Sequence, residues 1–321
     1  MELTRRQYLF SNTLIFAIGN FATKLINFFL IPLYTSVLNP IQYGTIDLIT
    51  TITTIATPIL TLNISEAVMR FNLDEKADKN SITKIGTIIF LIGAVLGLFL
   101  FPLCNLYKNI NSYNIYIYLF VISIAASQLY LCDLRGKELI ILYSIGNVIQ
   151  TFIIALLNII FLSFLDKGVE GYLLAYIISG FMTTLYAIVA GKGYKSFCIF
   201  SLDISKLKSM LTYSIVLIPN TFMWWIMNSS DHVMITNMIG ISANGIYAIS
   251  YKLPTLISTI TTIFNQAWTY SAIKEHGSDD EIAILIRGSG LRFGQVALIY
   301  RNGRLQETRS EPTNEMWPGW L

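Results

Sequence analysis

Leu14–Tyr34 reads LIFAIGNFATKLINFFLIPLY, an apolar run whose one charged residue is Lys24. A helix rises 1.5 Å per residue, so this run matches the roughly 30 Å hydrocarbon layer, which takes roughly 17–25 apolar residues per crossing. Seven more windows qualify further along: Thr45–Leu62, Ile85–Leu103, Ile115–Leu131, Leu139–Leu165, Tyr172–Val189, Leu211–Met227 and Ile246–Trp268. They are apolar all round and lack the short alternating segments of a membrane β-barrel. The expected fold is an all-α, polytopic transmembrane bundle of about eight helices. Composition agrees: 54% of the 321 residues are hydrophobic and 13% charged, against about 25% charged in soluble domains. Mean hydropathy is +0.59. Arg5 and Arg6 precede a long apolar run that no small-residue cleavage site closes, so the start reads as a first helix and not as a signal peptide.

Cations orient the helices. With Met1 to about Leu9 cytoplasmic, the inside segments carry Arg5, Arg6, Arg70, Lys76, Lys79, Lys84, Arg135, Lys137, Lys192, Lys195, Lys206 and Lys208, and the outside segments only Lys108 and Lys167. The net charge of +3 therefore reflects topology and gives no reason to expect nucleic acid. Tyr34, Tyr43, Tyr107, Tyr113 and Tyr116 are expected as an interfacial belt at the outer ends, and Trp268 at an inner end.

Leu38–Leu48 (LNPIQYGTIDL) and Ile239–Ile249 (IGISANGIYAI) place Gly44 and Gly245 in register at an offset of 201, and the same offset puts Leu9 on Met210. The copies lie six helices apart, an even number, which predicts parallel repeats about an axis along the membrane normal. The expected organisation is a six-helix bundle over residues 1–209, the first two helices of a second bundle over 210–281, and a non-membrane tail over 282–321. Residues 1–281 hold 13 Lys and 4 Arg, whereas 282–321 hold no Lys and 5 Arg. The tail is therefore expected to be foreign to the fold, from a frameshift, fusion or truncation, with a native cytoplasmic tail as the alternative. Phe293–Leu305 could form a hairpin around Asn302-Gly303.

Enzyme signatures do not occur: there is no GxSxG, no P-loop and no strand–GxGxxG–helix pattern. Cys104, Cys132 and Cys198 are scattered, and His232 and His276 lack metal-ligand spacing, so no metal or cofactor is expected. Intramembrane polar groups are the better lead. Lys24 lies mid-helix, too deep to reach the interface easily. It either faces an anionic headgroup or pairs with a carboxylate for packing. Asn12, Asn20 and Asn27 share its side of the helix and read as a wet wall or as interhelical glue. Lys252 sits two residues before Pro254, which is expected to kink the eighth helix as a gate hinge. Asp231, after Asn228-Ser229-Ser230, either binds a cation or sugar hydroxyls or ends a solvated helix. Glu66 and Arg70, four apart, are expected to form a local ion pair, with gate contact as the alternative.

Several motifs, in order, resemble the polysaccharide-transporter branch of the MOP flippase superfamily over about Leu9–Glu281. They are Pro32-Leu33-Tyr34-Thr35 with Tyr43-Gly44, Ser65 to Phe71, Pro219-Asn220 through Trp224-Trp225 to Asp231, Gly245 to Pro254, and Gln266-Ala267-Trp268 with Ser271-Ala272. The resemblance implies two six-helix bundles around a V-shaped cavity. It also implies alternating-access transfer of an undecaprenyl-pyrophosphate-linked oligosaccharide repeat unit to the outer leaflet of the cytoplasmic membrane. Membrane lipids surround such a protein, and polysaccharide polymerase and chain-length proteins are its implied partners. Lys24 and Lys252 suit the pyrophosphate. His232 departs from the arginine frequent after the equivalent aspartate, and the later helices of the second bundle are missing. The alternatives are a multidrug or sodium-coupled exporter of the same superfamily, a membrane glycosyltransferase or polymerase, and a non-transporting scaffold. An exporter favours a carboxylate-lined cavity. A transferase needs a large catalytic loop, whereas Gly191–Met210 holds one acid and four lysines.

Overall fold

The structure is a computed structural model that describes residues 5–74, 77–100, 110–194, 203–252 and 254, with two strands at 298–301 and 304–307; the side chains of residues 5–18, of residue 20 and of the two strands are not described. The chain forms two compact units, Met1–Pro254 and Thr255–Leu321.

The first unit is a helix bundle. In chain order it comprises α1 (Arg5–Val37), α2 (Pro40–Leu60), α3 (Ile64–Asn72), α4 (Lys79–Leu100), α5 (Asn114–Gly136), α6 (Ile140–Asn158, continued by a π-helical turn Ile159–Phe164), α7 (Gly168–Ala190) and α8 (Ile204–Met238). Residues 241–252 form a further helix, α9. Among the described residues, five helices are long and apolar enough to cross a membrane, or six if α2 and α3 count as one bent span. The sequence-derived windows map onto these elements in order. The eighth, Ile246–Trp268, lies within the described residues only through its first turns.

The helix boundaries follow local chemistry. Asn39 opens α2 with a capping box: its Oδ1 accepts from Gln42 N at 2.9 Å, while Gln42 Oε1 accepts from Asn39 N at 3.0 Å. Pro40 follows, where its missing N–H costs nothing. Asp203 caps α8, accepting from Ser205 N (3.0 Å) and Lys206 N (3.1 Å).

The second expected span ends in a bend. α2 and α3 meet at 59°. Asn63 N donates to Pro58 O (2.8 Å) and Leu62 N to Ile59 O (3.3 Å), a Schellman closure with Leu62 at φ 51° where glycine is usual. Asn63, at φ 55°, then starts α3. The apolar window ends at this break, and Glu66 and Arg70, read from sequence as the inner end of the second helix, stand on the separate helix α3.

Packing divides the core into two clusters. One gathers Leu30, Tyr34, Tyr43, Ile46, Phe120, Tyr172 and Ile177 near the α1–α2 turn; the other gathers Ile64, Val68, Ile82, Ile85, Leu129, Leu134 and Met210 at the opposite end. Tyr34 and Tyr43 are thus buried and do not form the expected interfacial belt. Tyr34 packs edge-to-face on Tyr172 at 5.5 Å, and Tyr172 stacks on Tyr176 at 4.6 Å. Position along the helix suits a belt, but these two rings turn inward onto α7. Tyr107 and Trp268 lie outside the described residues.

A buried polar knot ties the second cluster together. Asp133 on α5 is 1% exposed. Its Oδ1 accepts from Asn72 Nδ2 of α3 (2.8 Å) and from Thr83 Oγ1 of α4, and its Oδ2 accepts from Lys137 Nζ at 2.6 Å. Lys137 also donates to Gly191 O beyond α7 (3.3 Å). The carboxylate therefore joins α3, α4 and α5, its lysine partner adds the end of α7, and a counted topology cation is committed to packing.

The second unit contributes an antiparallel hairpin, β1 (Leu298–Arg301) and β2 (Arg304–Glu307), with Arg301 paired to Arg304. Two residues, 302 and 303, separate the strands, as the Asn-Gly pair predicts.

Candidate functional site

The 201-residue offset recurs in the structure. α1 ends at Val37 and α8 at Met238; α2 opens at residue 40 and α9 at 241. The paired glycines touch. A Cβ on Gly44 would stand 2.0 Å from the carbonyl oxygen of Ile241, and a Cβ on Gly245 would stand 2.0 Å from that of Pro40. Pro40 and Ile241 are themselves one offset apart, so the contact is reciprocal: α2 and α9 cross backbone to backbone about a local two-fold. Only glycine permits that approach. The two copies begin differently, since Gly240, at φ 130°, replaces the capping Asn39.

Below this crossing, α8 runs along α2 and α3 and is tied to them at successive levels. His232 meets Asp47; Trp225 Nε1 donates to Thr51 O at 2.9 Å; Asn63 Nδ2 donates to Thr221 Oγ1 at 3.3 Å; Phe71 packs edge-to-face on Tyr213 at 6.1 Å.

The uppermost tie is the richest. His232 Nδ1 lies 2.7 Å from Asp47 Oδ2, and Asn244 Nδ2 donates to the same oxygen at 3.0 Å. On the other side of the ring, His232 Nε2 lies 3.9 Å from Asp231 Oδ1, and Tyr247 OH donates to Asp231 Oδ2. Tyr247 and Tyr251 present edge-to-face rings to the imidazole at 5.1 and 5.8 Å. The His232 and Asp47 side chains are 9% and 14% exposed, whereas Asp231 is 42% exposed. The cluster is thus closed on the α2 side and open on the α8 side.

Of the residues singled out from sequence, Asp231 belongs to this cluster, bonded to Tyr247. Its neighbours Asn228 and Ser230 bond back to Trp224 O and Ile226 O of their own helix. Lys252 is exposed on α9, one residue past Tyr251. Lys24 and Asn27 are exposed on α1, which packs on α6 with Gly19 against Ser144. Asn27 lies beside the packed face marked by Thr23, Ile26 and Leu30, whereas Lys24 shares its exposed face with Phe21 and Phe28, three residues before and four after it. Asn20 lies in α1 on the same side as Lys24, and its side chain, like that of Asn12, is outside the described residues.

One expectation changes. Glu66 and Arg70 form no ion pair: the ion pairs among the described residues are Lys137–Asp133, Lys206–Asp203 and those of His232. Arg70 is exposed and Glu66 half-buried, so the pairing that i,i+4 spacing allows is not made. Pro254 is exposed at the limit of the described stretch, and the kink expected around it falls outside those residues.

Sequence reasoning missed the Asp47–His232–Asn244 contact. Its one available signal was the repeat itself, because superposing Gly44 on Gly245 brings Asp47 and Asn244 to the same end of two crossing helices.

A multi-helix apolar bundle, broken in one span and joined to a second copy of its first hairpin, defines a multi-pass membrane protein. Residues 9–270 match the family model described as polysaccharide biosynthesis protein, and the chain belongs to that family. A search of curated proteins finds no match. Among solved structures, one titled "protein A" is similar in fold, with a TM-score of 0.57 at 16% identity, covering 88% of this chain and 69% of that chain.

Proposed function

We propose that this polypeptide acts as a flippase for polysaccharide assembly, moving undecaprenyl-pyrophosphate-linked oligosaccharide repeat units from the inner to the outer leaflet of the cytoplasmic membrane. In this reading it transports and does not catalyse. Residues 1–209 are the first six-helix bundle and 210–281 the start of a second, with the amino terminus cytoplasmic. The cargo is the lipid-linked oligosaccharide, and polysaccharide polymerase and chain-length proteins are the partners.

Membership of the polysaccharide biosynthesis family supports the class. The observation that carries the cargo assignment is Lys24. It is exposed halfway along an apolar helix, and it is absent from the ion pairs among the described residues. An ammonium at that depth is expensive unless it meets water or an anion. The carboxylates that a cation exporter would need are committed elsewhere: Asp133 to Lys137, Asp47 to His232, and Asp231 to Tyr247. An exposed cation on α1, with these carboxylates engaged by other side chains, favours a phosphate-bearing cargo. Asn20 and Asn27 extend the polar wall along α1; Lys252 adds a second cation on α9.

Lys24→Ala tests the reading. Surface glycan should be lost at normal protein abundance, with lipid-linked repeat units accumulating on the cytoplasmic side. Unchanged export would remove Lys24 from the pathway.

A further inference from the structure

The surface of α8 turned away from α2 divides into two arcs. In the middle of the helix one arc is apolar and exposed, with Ile215, Val216, Phe222, Met223 and Ile226, as a lipid-facing surface should be. The other carries Asn220, Trp224, Asn228 and Asp231, whose spacings of four, four and three hold them within about 80° of the helix circumference. Met227 stands at the border. Asn220 and Asn228 are exposed, Trp224 is 59% exposed, and the Asp231 side chain is 42% exposed.

Depth makes this second arc unusual. The neighbouring Trp225 donates to Thr51 O, and Thr51 stands eleven residues after Pro40, the start of α2. That is about 16 Å along the helix, near the middle of a roughly 30 Å hydrocarbon layer. Tryptophan ordinarily marks the membrane interfaces. Amides at mid-depth face a cavity or another helix, not lipid chains. The repeat argues against a helix. The 201-residue offset pairs Asn220 with Gly19 and Trp224 with Thr23, on the face of α1 that packs on α6. There a Cβ on Gly19 would already stand 3.2 Å from Ser144 Cβ, so the first copy relies on the missing side chain. An amide and an indole at the same places in the second copy forbid that close approach.

We propose that Asn220, Trp224, Asn228 and Asp231 form a sugar-binding subsite on α8. The indole presents a flat apolar face on which the C–H face of a pyranose ring stacks, and the polar groups around it take the hydroxyls. Asn228 Nδ2 donates to Trp224 O at 2.7 Å, which fixes that amide one turn from the ring and leaves its Oδ1 to accept. Asn220, one turn to the other side, makes no hydrogen bond among the described residues. Asp231 accepts from Tyr247 at Oδ2 and from His232 N at Oδ1, and each oxygen keeps a second lone pair. The subsite rests on the reading of the cargo as a lipid-linked oligosaccharide: Lys24 is assigned the pyrophosphate, and this stripe the sugar.

Fluorotryptophan incorporated into the full chain in nanodiscs gives a fluorine resonance for each of the five tryptophans, and Trp224→Tyr identifies the one from position 224. A gadolinium chelate in water should broaden that resonance, and a nitroxide carried mid-chain on a lipid should spare it. Broadening by the lipid nitroxide would place the ring in the lipid face, and protection from both would mean that another helix covers the stripe; either result overturns the subsite. Undecaprenyl pyrophosphate bearing N-acetylglucosamine should then shift the resonance, and undecaprenyl pyrophosphate without sugar should not. If both lipids bind and the resonance responds equally or not at all, the subsite falls while the flippase reading stands. If neither lipid binds, the cargo reading falls and the subsite with it. Trp224→Leu should weaken binding of the sugar-bearing lipid about tenfold and leave the sugar-free lipid unaffected, and Trp224→Tyr should restore most of the loss. Equal losses for the two lipids would show a merely structural tryptophan. If Trp224→Leu fails to fold, the labelled parent and Trp224→Tyr decide the matter.

Discussion

Replacing Gly44 by alanine puts a methyl carbon 2.0 Å from the carbonyl oxygen of Ile241. Carbon and oxygen tolerate about 3.2 Å, so α2 and α9 must part by roughly 1.2 Å, and backbone, unlike a flexible side chain, cannot swing aside. Overpacking of this kind costs about 1–3 kcal/mol. The displacement also stretches the bonds beneath the crossing: Asn244 to Asp47 at 3.0 Å would pass hydrogen-bonding range, and His232 to Asp47 at 2.7 Å would weaken. A lost bond to a charged group adds about 1.5–3 kcal/mol, in part regained through hydration. The expected total is about 2–4 kcal/mol. Gly245→Ala should cost the same, because its Cβ meets Pro40 O at the same 2.0 Å. The double variant should cost well under the sum, since helices already parted for one methyl accommodate the second, a coupling of at least about 1 kcal/mol. Gly193→Ala, whose nearest contact is an ordinary 3.5 Å, is the control and should change little. Reversible unfolding in detergent, read by far-UV circular dichroism, measures all four. A Gly44→Ala variant within about 0.5 kcal/mol of the parent, or strict additivity, would refute the reciprocal crossing.

Asp133→Ala should destabilise by about 3–5 kcal/mol, because it strands the 9%-exposed Lys137 ammonium and unties α3, α4 and α5; the same unfolding assay decides. Glu138 is exposed at φ 62° in the turn after α5, so Glu138→Gly should raise stability by up to about 1 kcal/mol, where loss of stability would contradict the left-handed turn. The Asp203 carboxyl is held below its usual range, first by the Lys206 backbone amide and then by the Lys206 charge and the Ser205 amide. A depressed folded value means that the cap is fully present above the unfolded value and is lost as pH falls through the folded one. Amide exchange in the first turn of α8 should therefore quicken at acidic pH, and Asp203→Asn should abolish that dependence.

Glu66 and Arg70 show where reading by sequence stops. Their spacing permits a pair, but spacing fixes only which face each side chain leaves from, and the structure places one half-buried and the other in the open. Tyr34 and Tyr43 show the same limit, since a residue's level in the membrane follows from its position in an apolar run, but whether it looks outward depends on the neighbouring helix. Lys24, by contrast, was legible, because a charge in an apolar run is conspicuous without any partner.

What the sequence determined by itself is what one segment can decide alone. Apolar runs long enough to satisfy their backbone inside a bilayer had to be helices, their cations set the expected orientation, and the 201-residue offset tied Gly44 to Gly245. The tertiary structure decided what needs two segments at once. Asp133 meets Asn72 across 61 residues and His232 meets Asp47 across 185. No periodicity encodes such meetings, because they depend on which helices become neighbours. The bend at Leu62-Asn63 belongs with them: two left-handed residues are costly in isolation, and they persist here with α4 against the break, where Gly93 meets Leu60 O, and α8 beside Asn63.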